Sequence, residues 1–425
     1  MRRVLVDARA LTHATAGGRG IGNHVAGLLE GLAAVGAPAT ALVASDDART
    51  SVPARFPAAD VEVLSRDAIR RHATDGTWFL ATALYLHPVS LDPIPAAVTD
   101  ARLPVAALLY DVIPYRYPDQ YLADDDPARQ ARLRAMWART IDVHCANSAF
   151  VARTAVEELG LDPARIRVTG AAAGDRFRPA RHLSTSPIGG PYVVAVTGGE
   201  ERKNTHGLLR GWSAVPDDVR RSTRLVVVAT PPGAVLAAWR RLARDLGVDD
   251  SVVFASGLGD EDVVAVLQHA RLGVVPSSEE GFGLPVLEIA ACGPPVVCAG
   301  VSSLPEVLTE PAAHFDPGDH ADIGRAIVRA LRDDAHRGRL LTAAAGALRR
   351  WRWDRVAADV IAAIDELGPR RDARVRAPRR RDVTAVITSF DDQRVPFADD
   401  VVPASAIGRY VKPHDLDTVT STPSR

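Results

Sequence analysis

Two glutamates, Glu280 and Glu288, stand seven residues apart around Gly281-Phe282-Gly283-Leu284-Pro285-Val286-Leu287. The run before them, Val274-Val275-Pro276, reads as the end of a buried strand, and Leu287 to Cys292 reads as a helix. Glycines at 281 and 283 allow a sharp loop and a close approach of ligand to main chain, and Pro285 suits a first helical turn. Such a helix start attracts anions, most commonly phosphate. Carboxylates repel phosphate, so Glu280 and Glu288 are better suited to hydroxyl groups, those of a sugar and of a ribose. A nucleotide-sugar would use every part of the segment. The competing reading is a Gly/Pro turn carrying two solvated glutamates.

A second candidate is the loop Gly198-Gly199-Glu200-Glu201-Arg202-Lys203-Asn204, which leaves the apolar strand pattern of Tyr192 to Val196 and enters a helix near Asn204. Lys203 and Lys412 are the only lysines of the chain. An arginine fork and a lysine point charge together can neutralise a diphosphate leaving group. Taken alone, the pair also fits a solvated helix start. Its recurrence with the glutamate segment at the same edge of one sheet favours a shared site.

These two segments resemble the glutamate-seven-residues-glutamate and Arg-Lys-Asn motifs of the retaining GT-B glycosyltransferases of family 4 type (glycosyl transferases group 1), in the branch of bacterial polysaccharide mannosyltransferases. The resemblance covers about residues 1 to 367. It implies an α/β fold of two Rossmann-like doubly wound domains facing a cleft, closed by a C-terminal crossing helix. It implies that Glu280 contacts the transferred sugar, Glu288 the ribose, and Arg202 and Lys203 the donor diphosphate. Gly281, Phe282, Gly283 and Leu284 would complete the donor site. No bound metal is implied, no Asp-x-Asp stands near the donor segments, and the expected cofactor set is none.

The elements that must position these residues alternate between strand and helix patterns, which argues for parallel sheets flanked by helices. Strands are expected near Val4 to Ala8, Ala39 to Ala44, Val61 to Leu64, Trp78 to Thr82, Val105 to Leu109 and Ile141 to Ala146. They restart at Tyr192 to Val196, Leu225 to Ala229, Val252 to Ala255, Leu272 to Val275 and Val296 to Cys298. The expected limits are an N-terminal acceptor domain over 1–180, a nucleotide-sugar domain over 191–350 and a crossing helix over 351–367, with Trp351 and Trp353 packing at its start. The arginine-rich stretch that follows, within 369–425, holds too little apolar sequence for a core and is expected to be mobile.

In the first half, Thr15 to Gly22 supplies glycines at 18, 20 and 22 after the first strand. The spacing is not G-x-G-x-x-G, and no acid closes the next strand, so a dinucleotide fingerprint is absent. The resemblance makes Gly18, Gly20 and Gly22 a loop that touches donor phosphates and acceptor. At the end of another strand comes Tyr110-Asp111-Val112-Ile113-Pro114, where the family commonly has histidine in place of Tyr110. Asp111 fits two roles equally: a base for the acceptor hydroxyl, or a side-chain cap of the following turn. His144 reads as a hydrogen-bonded core histidine. The helix pattern Pro127 to Arg139 interleaves arginines with apolar residues, so it is either a packed helix with a solvated arginine face or a membrane-surface helix.

Formal net charge is −1 and charged residues make up 24% of 425, which gives nucleic acid no global electrostatic attraction. Three cysteines, Cys145, Cys292 and Cys298, match no zinc spacing, and Cys292 and Cys298 read as packed thiols. No apolar run approaches the ~20 residues of a membrane span. The expected location is the cytoplasm, with peripheral contact at the inner face of the membrane as a further option. The expected function is transfer of a hexose, with mannose from GDP-mannose as first choice and UDP- or dTDP-sugars as alternatives, to a hydroxyl of a saccharide or lipid-linked acceptor. A GT-B epimerase, or a non-catalytic partner protein of the same fold, are the rival readings.

Overall fold

The computed structural model describes residues 2–12, 20–55, 60–84, 94–180 and 187–370. They divide into two units, one built from residues up to Asn147, Val151–Thr169 and those from Ala357 on, the other from Ser148–Phe150 and Gly170–Val356. The expectations for Gly18 and for the tail beyond residue 370 lie outside the described residues.

The first unit carries seven parallel strands: β1 (Val4–Asp7), β2 (Ala39–Val43), β3 (Asp60–Val63), β4 (Trp78–Ala81), β5 (Val105–Leu109), β6 (Val143–Ala146) and β7 (Ile166–Val168). Their order is β3-β2-β1-β4-β5-β6-β7, with Val6 paired to Ala41 on one side and Leu80 on the other. The inner strands β1, β4, β5 and β6 are buried at every position, as continuous apolar runs covered on both faces should be. The segment 357–367 of the helix Trp353–Leu367 belongs to this unit, where the Arg165 guanidinium donates to the Leu367 and Gly368 carbonyls at 3.0 and 2.9 Å.

The second unit carries β8 (Tyr192–Val196), β9 (Arg224–Val228), β10 (Val252–Ala255), β11 (Leu272–Val275), β12 (Val296–Ala299) and β13 (His314–Phe315), in the order β10-β9-β8-β11-β12-β13. The chain runs outward from β8 through β9 to β10, then returns to lay β11 on the other side of β8. The loops after β8 and β11 therefore leave the sheet at its switch point, where α/β sheets open a crevice for ligands. Gly273 in β11 is required by packing, because a Cβ there would stand 2.4 Å from Cγ2 of Ile289. That close approach seats the helix Leu284–Cys292 on the sheet.

Several local expectations are corrected. β7 and β13, three and two residues long, were not expected, since so short a run leaves no period to read. The first long helix starts at Gly20, so Gly20 and Gly22, expected in a glycine loop, sit in its first turn; glycine costs least there, where amides have no intrahelical partner. Trp351 caps the preceding helix Asp334–Arg350, its N–H bonded to the Ala347 carbonyl, and only Trp353 begins the last helix. The helix Asp125–Ala138 lacks a fully solvated arginine face: Arg134 is buried, and Arg139, its C-cap, donates to the Leu159 carbonyl at 2.9 and 2.7 Å. His144 is a buried core residue bonded to the Ala138 carbonyl at 2.9 Å. Among the described residues, no helix is long and apolar enough to cross a membrane.

Candidate active site

The loop after β8 ends in a single 3-10 turn, Glu201–Lys203, and then in Asn204, which adopts a left-handed backbone (φ 54°). Asparagine is among the few residues that tolerate this conformation. Its side chain uses both ends: the carbonyl accepts from Gly207 N–H at 3.2 Å to cap the helix Thr205–Ser213, and the amide donates to the carbonyls of Pro276 at 3.1 Å and Pro317 at 3.0 Å. Ser278 adds two bonds to the Arg202 carbonyl, from its N–H at 2.8 Å and from its hydroxyl at 3.1 Å. The loops after β8, β11 and β13 are thereby pinned together.

On this platform Lys203 Nζ lies 2.7 Å from Glu280 Oε1, and Arg202 Nη1 lies 3.3 Å from Glu280 Oε2. The buried Ser277 hydroxyl donates to the same Oε1 at 2.7 Å. The main chain of Glu280 is held as well: its N–H donates to Ser302 Oγ at 3.1 Å, and the Ser303 hydroxyl donates to the carbonyls of Glu280 and Phe282 at 2.8 and 2.9 Å. Burial alone would push the Glu280 carboxyl up. The charges of Lys203 and Arg202, with hydrogen bonds from Lys203 and Ser277, outweigh it and hold the group below its ordinary range. Glu280 is therefore an ionised, oriented acceptor.

Gly283 begins the next helix with φ 102°, a conformation that disfavours any other residue, and a Cβ there would also meet Leu304 Cδ2 at 2.5 Å. No side chain caps this helix, and Leu284 and Pro285 form its first turn. The Phe282 ring turns inward and packs edge-on against Trp351, with centroids 5.1 Å apart, so the main chain carries any ligand role at 281–283. One turn further on, half-buried Glu288 is pushed up to about 7, first by burial; Arg176 and Lys203 oppose the rise, and Asp260 and Glu280 add to it. Arg176 itself is paired with Asp260. Glu280, Lys203, Arg202 and Glu288 thus form one electrostatically coupled group in the second unit. Sequence reading did not single out Asn204 for its bridging amide, nor Ser277, Ser302, Ser303 and Arg176. Asn204 lay inside the Arg-Lys-Asn motif, and of those serines Ser277, three residues before Glu280, is nearest to it in the chain.

In the first unit, Asp111 follows β5 and its carboxylate accepts from Ile113 N–H at 3.1 Å, which is the turn-capping role. Tyr110 is buried with its ring edge-on to His24 at 5.1 Å, and burial together with the charge of Asp7 raises its hydroxyl well above the usual phenol range. Asp7 in turn is paired with Arg9 through two bonds of 2.8 and 2.9 Å.

Two parallel, doubly wound sheets, one of them with a basic pair and two carboxylates at its switch point, define a Rossmann-like protein of the GT-B class, with a site suited to a phosphorylated, hydroxyl-rich ligand. Comparison with known proteins adds to this: residues 182–346 match the family Glycosyl transferases group 1. Relatives include the serotype-specific mannosyltransferase WbdA of Escherichia coli, 27% identical over 53% of this chain and 29% of the relative. The O-antigen chain mannosyltransferase B of Escherichia coli is 32% identical over 41% of this chain and 47% of the relative. The D-inositol 3-phosphate glycosyltransferase of Acidothermus cellulolyticus is 32% identical over 58% of each. The chain thus spans between about a third and three fifths of the length of these relatives. Among solved structures, Anabaena HepE in complex with UDP and glucose shares the fold with a TM-score of 0.63 at 17% identity, over 86% of this chain and 100% of that one. WaaG, a glycosyltransferase involved in lipopolysaccharide biosynthesis, shares it with a TM-score of 0.57 at 13% identity, over 86% and 100%.

Proposed function

We propose that the chain is a retaining glycosyltransferase that moves a hexose from a nucleoside diphosphate sugar to a hydroxyl of a saccharide or lipid-linked saccharide. The observation that carries this reading is the placement of Arg202 and Lys203 beside Glu280, in the loop that leads into the helix Leu284–Cys292, which carries Glu288. Bond cleavage at the sugar carbon leaves negative charge on the diphosphate, and two fixed cations with a helix start are suited to receive it. Ionised Glu280 can accept hydrogen bonds from sugar hydroxyls, and Glu288 from ribose hydroxyls. Retention is compatible with attack on the donor's own face, the departing phosphate oxygen taking the acceptor proton.

Mannose from GDP-mannose is the first choice of donor, supported by the two mannosyltransferases among the relatives. UDP-sugars are the alternative, supported by the UDP and glucose bound to the structural neighbour. The proposed acceptor-side residues are Asp111, Gly20 and Gly22 of the first unit, and the proposed setting is the cytoplasm or the inner membrane face. The deciding experiment is a thermal-shift panel of GDP, UDP, dTDP and their sugars, since a ligand of the native state raises the melting temperature. Glu288→Ala should weaken nucleotide binding, whereas Glu280→Ala should mainly lower turnover. A shift with none of the nucleotides, or equal loss of nucleotide affinity in both variants, would contradict this reading.

A further inference from the structure

Both cations suited to a diphosphate are directed at a carboxylate of their own chain. Lys203 Nζ is 2.7 Å from Glu280 Oε1 and Arg202 Nη1 is 3.3 Å from Oε2, so the two oxygens of Glu280 stand where a bridging anion would engage both donors. Glu280 is also tethered independently of them: the Ser277 hydroxyl holds Oε1 at 2.7 Å, and Ser302 and Ser303 hold its main chain. Arg202 has other partners in reach, Glu200 at 4.0 Å and the Glu279 carbonyl at 3.3 Å.

We propose that Glu280 is a resident competitor for Arg202 and Lys203, so that a nucleotide binds by taking both cations from it while Ser277 keeps the carboxylate in place. This rests on reading the site as one for a nucleotide-sugar. The exchange sets a threshold. A diphosphate offers several charged oxygens and can replace both contacts at once, whereas a monophosphate offers fewer and leaves one cation with Glu280. The site therefore selects nucleoside diphosphates over monophosphates through a competitor as well as through its donors, a form of discrimination by a difference of affinities.

Calorimetric titration of the full chain with GDP, UDP, GMP and UMP tests this. Glu280→Gln should bind the accepted diphosphate about tenfold more tightly than the wild type, the worth of one charge-assisted contact released. Its preference for diphosphate over monophosphate should narrow. In a Lys203→Ala background the same substitution should gain less than about threefold, because one of the contested cations is gone. Glu280→Asp, which keeps the charge but shortens the reach to Lys203, should also bind more tightly and serves if the glutamine variant does not fold. Unchanged or weaker binding in Glu280→Gln overturns the proposal. So does an equal gain with and without Lys203, which would mean plain repulsion between Glu280 and phosphate. If the wild type binds neither GDP nor UDP, the reading of the site falls together with the inference; if it binds one and Glu280→Gln gains nothing, the inference alone falls.

Discussion

Glu288→Gln should make the protein more stable and a poorer binder of nucleotide, with both effects dependent on pH. A carboxyl raised from 4.5 to about 7 in the folded state takes up a proton more readily when folded than when unfolded. The unfolded chain releases that proton near 4.5 and the folded chain only near 7, so stability falls as pH rises across that window and stays low above it. The full rise corresponds to roughly 3 kcal/mol, and partial solvation of this half-buried side chain reduces it to about 2 kcal/mol. A neutral amide of the same shape avoids the cost. At pH 8 the variant should unfold higher than the wild type, by about 4 to 8 °C for a unit of this size. At pH 4, where both forms are neutral, the two proteins should melt together. Differential scanning calorimetry between pH 4 and 8 measures the difference, and titration with GDP or UDP at pH 8 should show binding weakened by about tenfold or more, because an amide is a weaker partner for ribose hydroxyls. A stability gain that does not grow with pH would refute the buried-carboxylate reasoning. A gain without loss of nucleotide affinity would refute the ribose role.

Lys203→Ala should cost about 2 to 4 kcal/mol of transition-state stabilisation, read as a fall in kcat/KM for the donor, and near-normal turnover would sink the leaving-group role. Gly273→Ala should destabilise the second unit by about 1 to 3 kcal/mol through its clash with Ile289 Cγ2, and in a denaturant melt the loss should be smaller in an Ile289→Ala background, which removes that atom. Arg165→Ala should destabilise the first unit by about 1 to 3 kcal/mol, since two carbonyls at the end of the last helix lose their donor; increased hydrogen exchange confined to residues 360–370 would be the local signature.

What could be read from the chain was set by how local each signal is. Tyr192 to Val196 and Leu272 to Val275 are continuous apolar runs, and a strand buried on both faces announces itself in this way. Glycine at 283 and proline at 285 marked the loop-to-helix junction, because both residues act through their own backbone. The pairing of Lys203 with Glu280 was out of reach, since it depends on β11 returning to lie beside β8, a matter of topology. Ser302 and Ser303 reach Glu280 from the loop after β12, and nothing near them in the chain marks them. Phe282 sat inside the motif, yet its ring faces Trp351, a partner supplied by the end of a distant helix. Asp111 left two roles open, and the contact from the Ile113 N–H shows the capping role in operation.

The amide of Asn204 has a consequence for anyone who would remodel this protein. One side chain fastens three stretches of chain that arrive from separate strands, at Gly207, Pro276 and Pro317. Those stretches are inherited as a set. A graft that imports only residues 276–288 from a relative with another donor would bring carbonyls aligned to a different clasp, and the recipient's Asn204 would be left holding one of its two strands of the knot. Successful transplants should therefore carry residues 197–207, 276–288 and 314–318 together, because the clasp spans all three.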